Sequence, residues 1–113
     1  LLMPLITMAA ELSGTAYGRS MSEADVALRV LADHARAATF LIADGVRPAA
    51  EGRGLVLRAI MQRARRHAER IALAPGAYRR LCGLVIDEMG DCFPELSAER
   101  ATILRTVGDE EDA

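Results

Sequence analysis

Apolar residues return every three to four positions along almost the whole chain, and no stretch shows the strict apolar-polar alternation of a half-buried strand. Helices packed face to face bury such stripes against one another. The expectation is therefore all-α: one compact helical domain over residues 1–113, with about four to five helices, two of them long and antiparallel. At 113 residues the chain is long enough for one core and too short for a second.

The stripes can be followed in order. Leu5, Met8, Ala9 and Leu12 place a short helix over 4–12, with Gly14 and Gly18 marking its end. Ser22 with Asp25 three residues on is a capping arrangement. Ala27, Val30, Leu31, His34, Ala38, Leu41 and Ile42 continue from it as the buried stripe of a long helix that stops at Asp44-Gly45. Gly45, Pro48, Gly52 and Gly54 make the next stretch a structured loop. Leu57, Ile60, Met61, Ala64, Ala68 and Ile71 then form a second long stripe, ended by Pro75-Gly76. Tyr78, Leu81, Cys82, Val85, Ile86 and Met89 form a third, stopped by Gly90. Ser97, with Arg100 in the N3 place, is an imperfect cap for a last helix carrying Ala101, Ile103, Leu104 and Val107, and the acidic end 109–112 is expected to fray.

Charge divides the chain more sharply than its formal net of -2 suggests. There is no lysine, and between residues 46 and 80 Arg47, Arg53, Arg58, Arg63, Arg65, Arg66, Arg70, Arg79 and Arg80 face only Glu51 and Glu69. Beyond residue 83 the sign reverses, with Arg100 and Arg105 outnumbered by acids. On the second long helix Arg58, Gln62, Arg65 and Glu69 share an outer face, and Arg63, Arg66 and Arg70 flank it. Arginine forks two donors onto phosphate oxygens, so a helical row of them suits a phosphate backbone. With so few aromatic residues to stack on single-stranded bases, a duplex such as an acceptor stem is the better match. The alternative from charge alone is a solvated face closed by ion pairs to the acidic tail.

Other chemistry finds no foothold. Gly52 and Gly54 lead into an Arg-bearing helix without the Lys-Ser/Thr of a phosphate loop, and no carboxylate pair or Ser/His/Asp set suggests catalysis. His34 reads as a hydrogen-bonded core residue and His67 as a partly exposed surface residue. Cys82 and Cys92 read as buried thiols in a reducing cytoplasm, without metal or cofactor. The apolar start is too short to span a membrane, and Leu1-Leu2 in place of an initiator Met reads as an excerpt, a processed product or a remnant.

Longer runs carry a family resemblance. Leu28-Arg29-Val30-Leu31-Ala32-Asp33-His34-Ala35-Arg36-Ala37, Phe40-Leu41-Ile42-Ala43-Asp44-Gly45-Val46, Glu51-Gly52-Arg53-Gly54 and Val56-Leu57-Arg58 closely resemble the segment that follows the class II catalytic core of alanyl-tRNA synthetases. Met89-Gly90-Asp91, Phe93-Pro94-Glu95-Leu96 and Met3-Pro4-Leu5-Ile6 extend it over almost the whole chain. The resemblance implies a helical tRNA-recognition segment, cut from a synthetase or working as a stand-alone relative, without catalytic activity of its own. It implies contacts to the tRNA acceptor stem from Arg47, Glu51, Arg53, Arg58, Arg63, Arg65 and Arg66, and packing on a synthetase catalytic domain or on a second copy. Where the family has Pro-Ser-Asn-Glu-Gly-Arg-Gly, this chain has Pro48-Ala49-Ala50-Glu51-Gly52-Arg53-Gly54, so the asparagine that reads the family's G·U wobble pair is absent. Leu55, Ala59 and Gln62 stand where the family has Tyr, Arg and Arg. A truncated paralogue that docks on proteins and has lost wobble-pair recognition is the alternative these departures motivate.

Overall fold

The computed structural model describes residues 2–112, and among them every regular element is a helix. The order is α1 (Met3–Ser13), α2 (Glu23–Ala43), α3 (Gly52–Arg70), α4 (Ala77–Met89), α5 (Pro94–Ala98) and α6 (Arg100–Asp112). The all-α expectation holds, with one short helix more than the sequence count. That extra helix displaces the expected cap. Pro94 opens α5 and Ser97 lies inside it, so α6 starts without Ser97 as its N-cap.

Two ion pairs fix the direction of the long helices. Arg53, at the start of α3, holds Asp44, at the end of α2, at 2.6 Å, whereas Arg70 at the far end of α3 lies 3.6 Å from Glu23 at the start of α2. The helices run antiparallel, as expected. Helix α2 is the axis of the fold and packs against every other helix. Its buried face is wider than the predicted stripe, adding Leu28, Ala32, Ala35 and Thr39, while Val30, His34 and Leu41 lie at its half-buried margin. Small residues at 32, 35 and 38 let neighbouring backbones approach. Thr39 removes its own polar cost by donating to Ala35 O at 2.7 Å.

The caps explain the boundaries. The Ser22 hydroxyl accepts from the Asp25 N–H at 3.2 Å, as its spacing predicted. The Asp25 carboxylate does not complete a capping box. It accepts from Gly18 N (3.0 Å), Ser20 N (2.8 Å) and the Ser20 hydroxyl (2.6 Å), tying the preceding loop to α2. Gly90 acts differently from a left-handed stop: its φ is -63°, but a Cβ there would stand 2.6 Å from both Ile86 O and Ser97 Oγ. Helix α3 ends before Pro75-Gly76, which instead lead into α4.

Three further expectations need correction. The acidic end does not fray: α6 stays helical to Asp112, and Glu111 is hydrogen-bonded to the start of α4. His67 is buried rather than on the surface. Cys82 is buried and its thiol is pushed up to about 12 by that burial, but Cys92 is exposed. No described helix is long and apolar enough to cross a membrane.

Candidate nucleic-acid interface

Helix α3 buries Leu57, Met61, Ala64 and His67 and turns the remaining arc outward. Arg53, Arg58, Arg63, Arg65, Arg66 and Arg70 are all exposed, so the predicted basic face exists as a surface. Its members are engaged unequally. Arg58, Arg63 and Arg66 form no ion pair among the described residues. Arg65 is engaged, reaching Glu69 at 4.0 Å and the Glu111 carbonyl at 3.5 Å. Among the described residues the acidic tail thus forms no ion pair with Arg58, Arg63 or Arg66, unlike the ion-paired alternative.

Arg47 is exposed and engaged by backbone carbonyls. Its Nη1 donates to Ile42 O at 3.0 Å, at the C-terminal end of α2, and to Val46 O at 2.8 Å, in the loop that follows. Glu51 is the exposed N-cap of α3 and makes no side-chain cap bond. The loop between these residues lies hard against the first turn of α3 because residue 54 is glycine. A Cβ at that position would fall 2.4 Å from Arg47 O and 2.6 Å from Ala49 Cβ. Gly52 meets a second need, with φ +66° in the left-handed region. Sequence reasoning placed this loop but missed the steric role of Gly54, for which the second glycine of Gly52-Arg53-Gly54 was the available signal.

The centre of the outer face changes character along its length. Leu55 (47% exposed), Val56 (55% exposed) and Ala59 line the N-terminal half, whereas the arginines dominate from Arg63 onward. Ala50 is exposed in the loop and offers only a methyl group. Beneath the basic half, His67 Nδ1 is buried without a hydrogen-bond partner, and His34 Nδ1 is 3.5 Å from Asp33 Oδ2, too far for a well-formed bond. Burial lowers both imidazole pKa values below the ordinary histidine range, Arg63 reinforcing it for His34 and Arg70 for His67.

The family model described as tRNA synthetases class II (A) matches residues 1–113. The chain is 48% identical over 103 residues to an alanine–tRNA ligase of Anaeromyxobacter sp., covering 91% of the chain and 11% of that relative. It is 47% identical over 111 residues to the alanine–tRNA ligase of Acidithiobacillus ferridurans, covering 98% and 12%. The corresponding ligase of Nitrobacter winogradskyi is 48% identical over 111 residues, with the same coverage. The chain thus spans roughly one-eighth of the length of the curated relatives it matches. It belongs to the class II (A) tRNA synthetases, and its similarity lies with one segment of the alanine–tRNA ligases.

Proposed function

We propose that this chain is a tRNA-binding segment in which α3 and the 47–54 loop face the acceptor-stem backbone, and that it carries no aminoacylation activity by itself. The observation that supports this reading most is the exposed run Arg58, Arg63, Arg66 without ion pairs among the described residues, on a helix shared with alanine–tRNA ligases. Guanidinium groups held along one rigid helix keep their donors available for successive phosphates. Arg65 lies on the same exposed face beside Glu69. Arg53 adds charge at the loop while tethered to Asp44, and Glu51 sits where the chain enters the helix. Arg47 anchors the loop by bonding Ile42 O and Val46 O through Nη1.

Base reading is absent from this proposal. A bidentate base contact supplies roughly 1–3 kcal/mol of discrimination, and the Ala50 methyl supplies none. Fluorescence anisotropy with acceptor-stem duplexes bearing either a G·U or a G·C pair tests both claims. Binding should weaken steeply between about 50 and 200 mM salt and differ little between the duplexes. Absence of binding at the lowest salt sinks the reading.

A second reading keeps the fold but makes it a protein-docking module, and the exposed Leu55, Val56 and Ala59 favour it. Its partner would be a synthetase catalytic domain or a second copy of the chain. Analytical ultracentrifugation of the chain alone and with a class II catalytic domain separates these, and a monomer that binds only RNA removes the reading.

A further inference from the structure

Arg79 and Arg80 belong to the basic stretch of the sequence but lie on α4, outside the α3 row. One turn on from them are Gly83 and Leu84, followed by Asp87 below Gly83. Helix α6 packs along α4 and presents Arg100, Leu104 and Gly108 at the same four-residue spacing. The two rows border a groove whose apolar wall is Met8, Leu84 and Leu104, and whose polar groups are Arg79, Arg80, Arg100 and Asp87. Three arginines thus line one groove with a single acidic residue.

The details leave donors available. Arg100 Nη1 holds Asp87 Oδ1 at 2.8 Å, while its Nη2 stands 3.8 Å from where a Cβ on Gly83 would be. Arg79 lies over Gly108, with Nη1 3.2 Å from the Cβ position there. Arg79 and Arg80 are exposed, and their side chains form no ion pair among the described residues. The Glu111 carboxylate accepts from the backbone N–H groups of Gly76 and Arg79 and leaves the Arg79 guanidinium untouched.

We propose that the groove between α4 and α6 binds a phosphate group, gripped by Arg79, Arg80 and the second amino group of Arg100, with Asp87 as an internal competitor for Arg100. Glycine at position 83 leaves the floor without a side chain, and the apolar wall lowers the local dielectric around the forks. A compact dianion matches several forks bordering one short groove better than an extended acidic peptide does. The phosphate belongs either to a small phosphorylated molecule or to a nucleic-acid backbone, two sources that share this chemistry. The site is independent of the α3 reading.

Backbone amide shifts of Gly83, Leu104 and Gly108 test it, measured by NMR on the whole chain during titration with pyrophosphate, with an acceptor-stem RNA duplex, and with chloride at matched ionic strength. A saturable shift with pyrophosphate, absent with chloride, supports a small-molecule source; one with the duplex alone supports a backbone source. Asp87→Asn should tighten binding about threefold by releasing Arg100, and the Arg79→Ala/Arg80→Ala double variant should weaken it about tenfold. Arg105→Ala, an exposed arginine of α6 outside the groove lining, should leave the pyrophosphate affinity unchanged. The proposal is overturned if neither phosphate probe saturates, if Asp87→Asn leaves the affinity unchanged, or if only a Glu-rich peptide moves these amides.

Discussion

Glu111 accepts a hydrogen bond from the backbone N–H of Arg79 at 3.0 Å, and its other carboxylate oxygen accepts one from Gly76 at 3.0 Å. The last turn of α6 thereby caps the first turn of α4 across the fold. Helix α4 has no cap from its own N-cap residue, Gly76 at φ 82°, so the partner must come from elsewhere in the chain. A carboxylate at this end also meets the positive pole of the helix.

Removing that carboxylate should loosen two helices together. Glu111→Ala is expected to cost about 1 kcal/mol, the usual loss for a helix N-cap, and to lower Tm by several degrees. Hydrogen exchange should accelerate at Arg79 and at the end of α6 in the same variant. Unchanged exchange at both places would show that the cap contributes nothing.

Gly54 carries the next prediction. Gly54→Ala puts a methyl group 2.4 Å from Arg47 O, so the 47–50 loop has to lift or α3 has to shift. Overpacking of this kind costs about 1–3 kcal/mol. Amide shifts at Arg47, Ala49 and Ala50 should move more than those of the core of α4, and denaturant melts should show the loss in midpoint. Gly83→Ala provides the control, because its Cβ would meet neighbours only at 3.8 Å and beyond.

Acid stability is set by different groups at different pH. The Ser20 hydroxyl, then the Gly18 and Ser20 amides, lower the Asp25 pKa to about 2 from 3.8. Its stabilisation is present above the unfolded value and is lost as pH falls from about 4 to about 2. The histidines act higher. Folded His34 and His67 resist protonation below 6.5, so an unfolded chain takes up protons that the folded chain refuses, and stability falls as pH drops through that region. Thermal melts across pH 2–7 should therefore decline in two stages. His67→Gln should flatten the upper stage and Asp25→Asn the lower; variants that track the wild-type curve would refute these assignments.

Helical period made the architecture readable, because the stripes of α2, α3 and α4 each demand a partner at the same spacing. The basic face of α3 was readable for the same reason: an i, i+4 row on a helix lies on one side whatever the tertiary packing. Contacts between distant residues were not readable. Glu111 sits in an acidic run whose composition suggests fraying, and only its placement beside Gly76 makes the run ordered. His67 stands among arginines in sequence, yet its angular position on α3 turns it toward the core rather than outward with Arg66. Short α5 escaped because Pro94 and Ser97 signal helix starts so close together that their pattern fits one boundary as well as two.

Arg47 and Arg66 should respond to mutation in opposite ways, although both belong to the same basic stretch. Arg66 is exposed with no ion pair among the described residues, so Arg66→Ala should leave Tm nearly unchanged. It should weaken duplex binding similarly for every sequence and reduce the log-log salt slope by about 1. Arg63→Ala should behave likewise. Arg47 donates to one carbonyl at the end of α2 and one in the following loop, and those oxygens lose a charged donor in Arg47→Ala. That variant should lose about 1–2 kcal/mol of stability, near the range for hydrogen bonds to charged groups, while retaining most of the salt slope. Paired melts and salt titrations on the three variants decide the matter. A salt slope that drops with Arg47→Ala but not with Arg66→Ala would move the interface from the outer face of α3 to the loop before it.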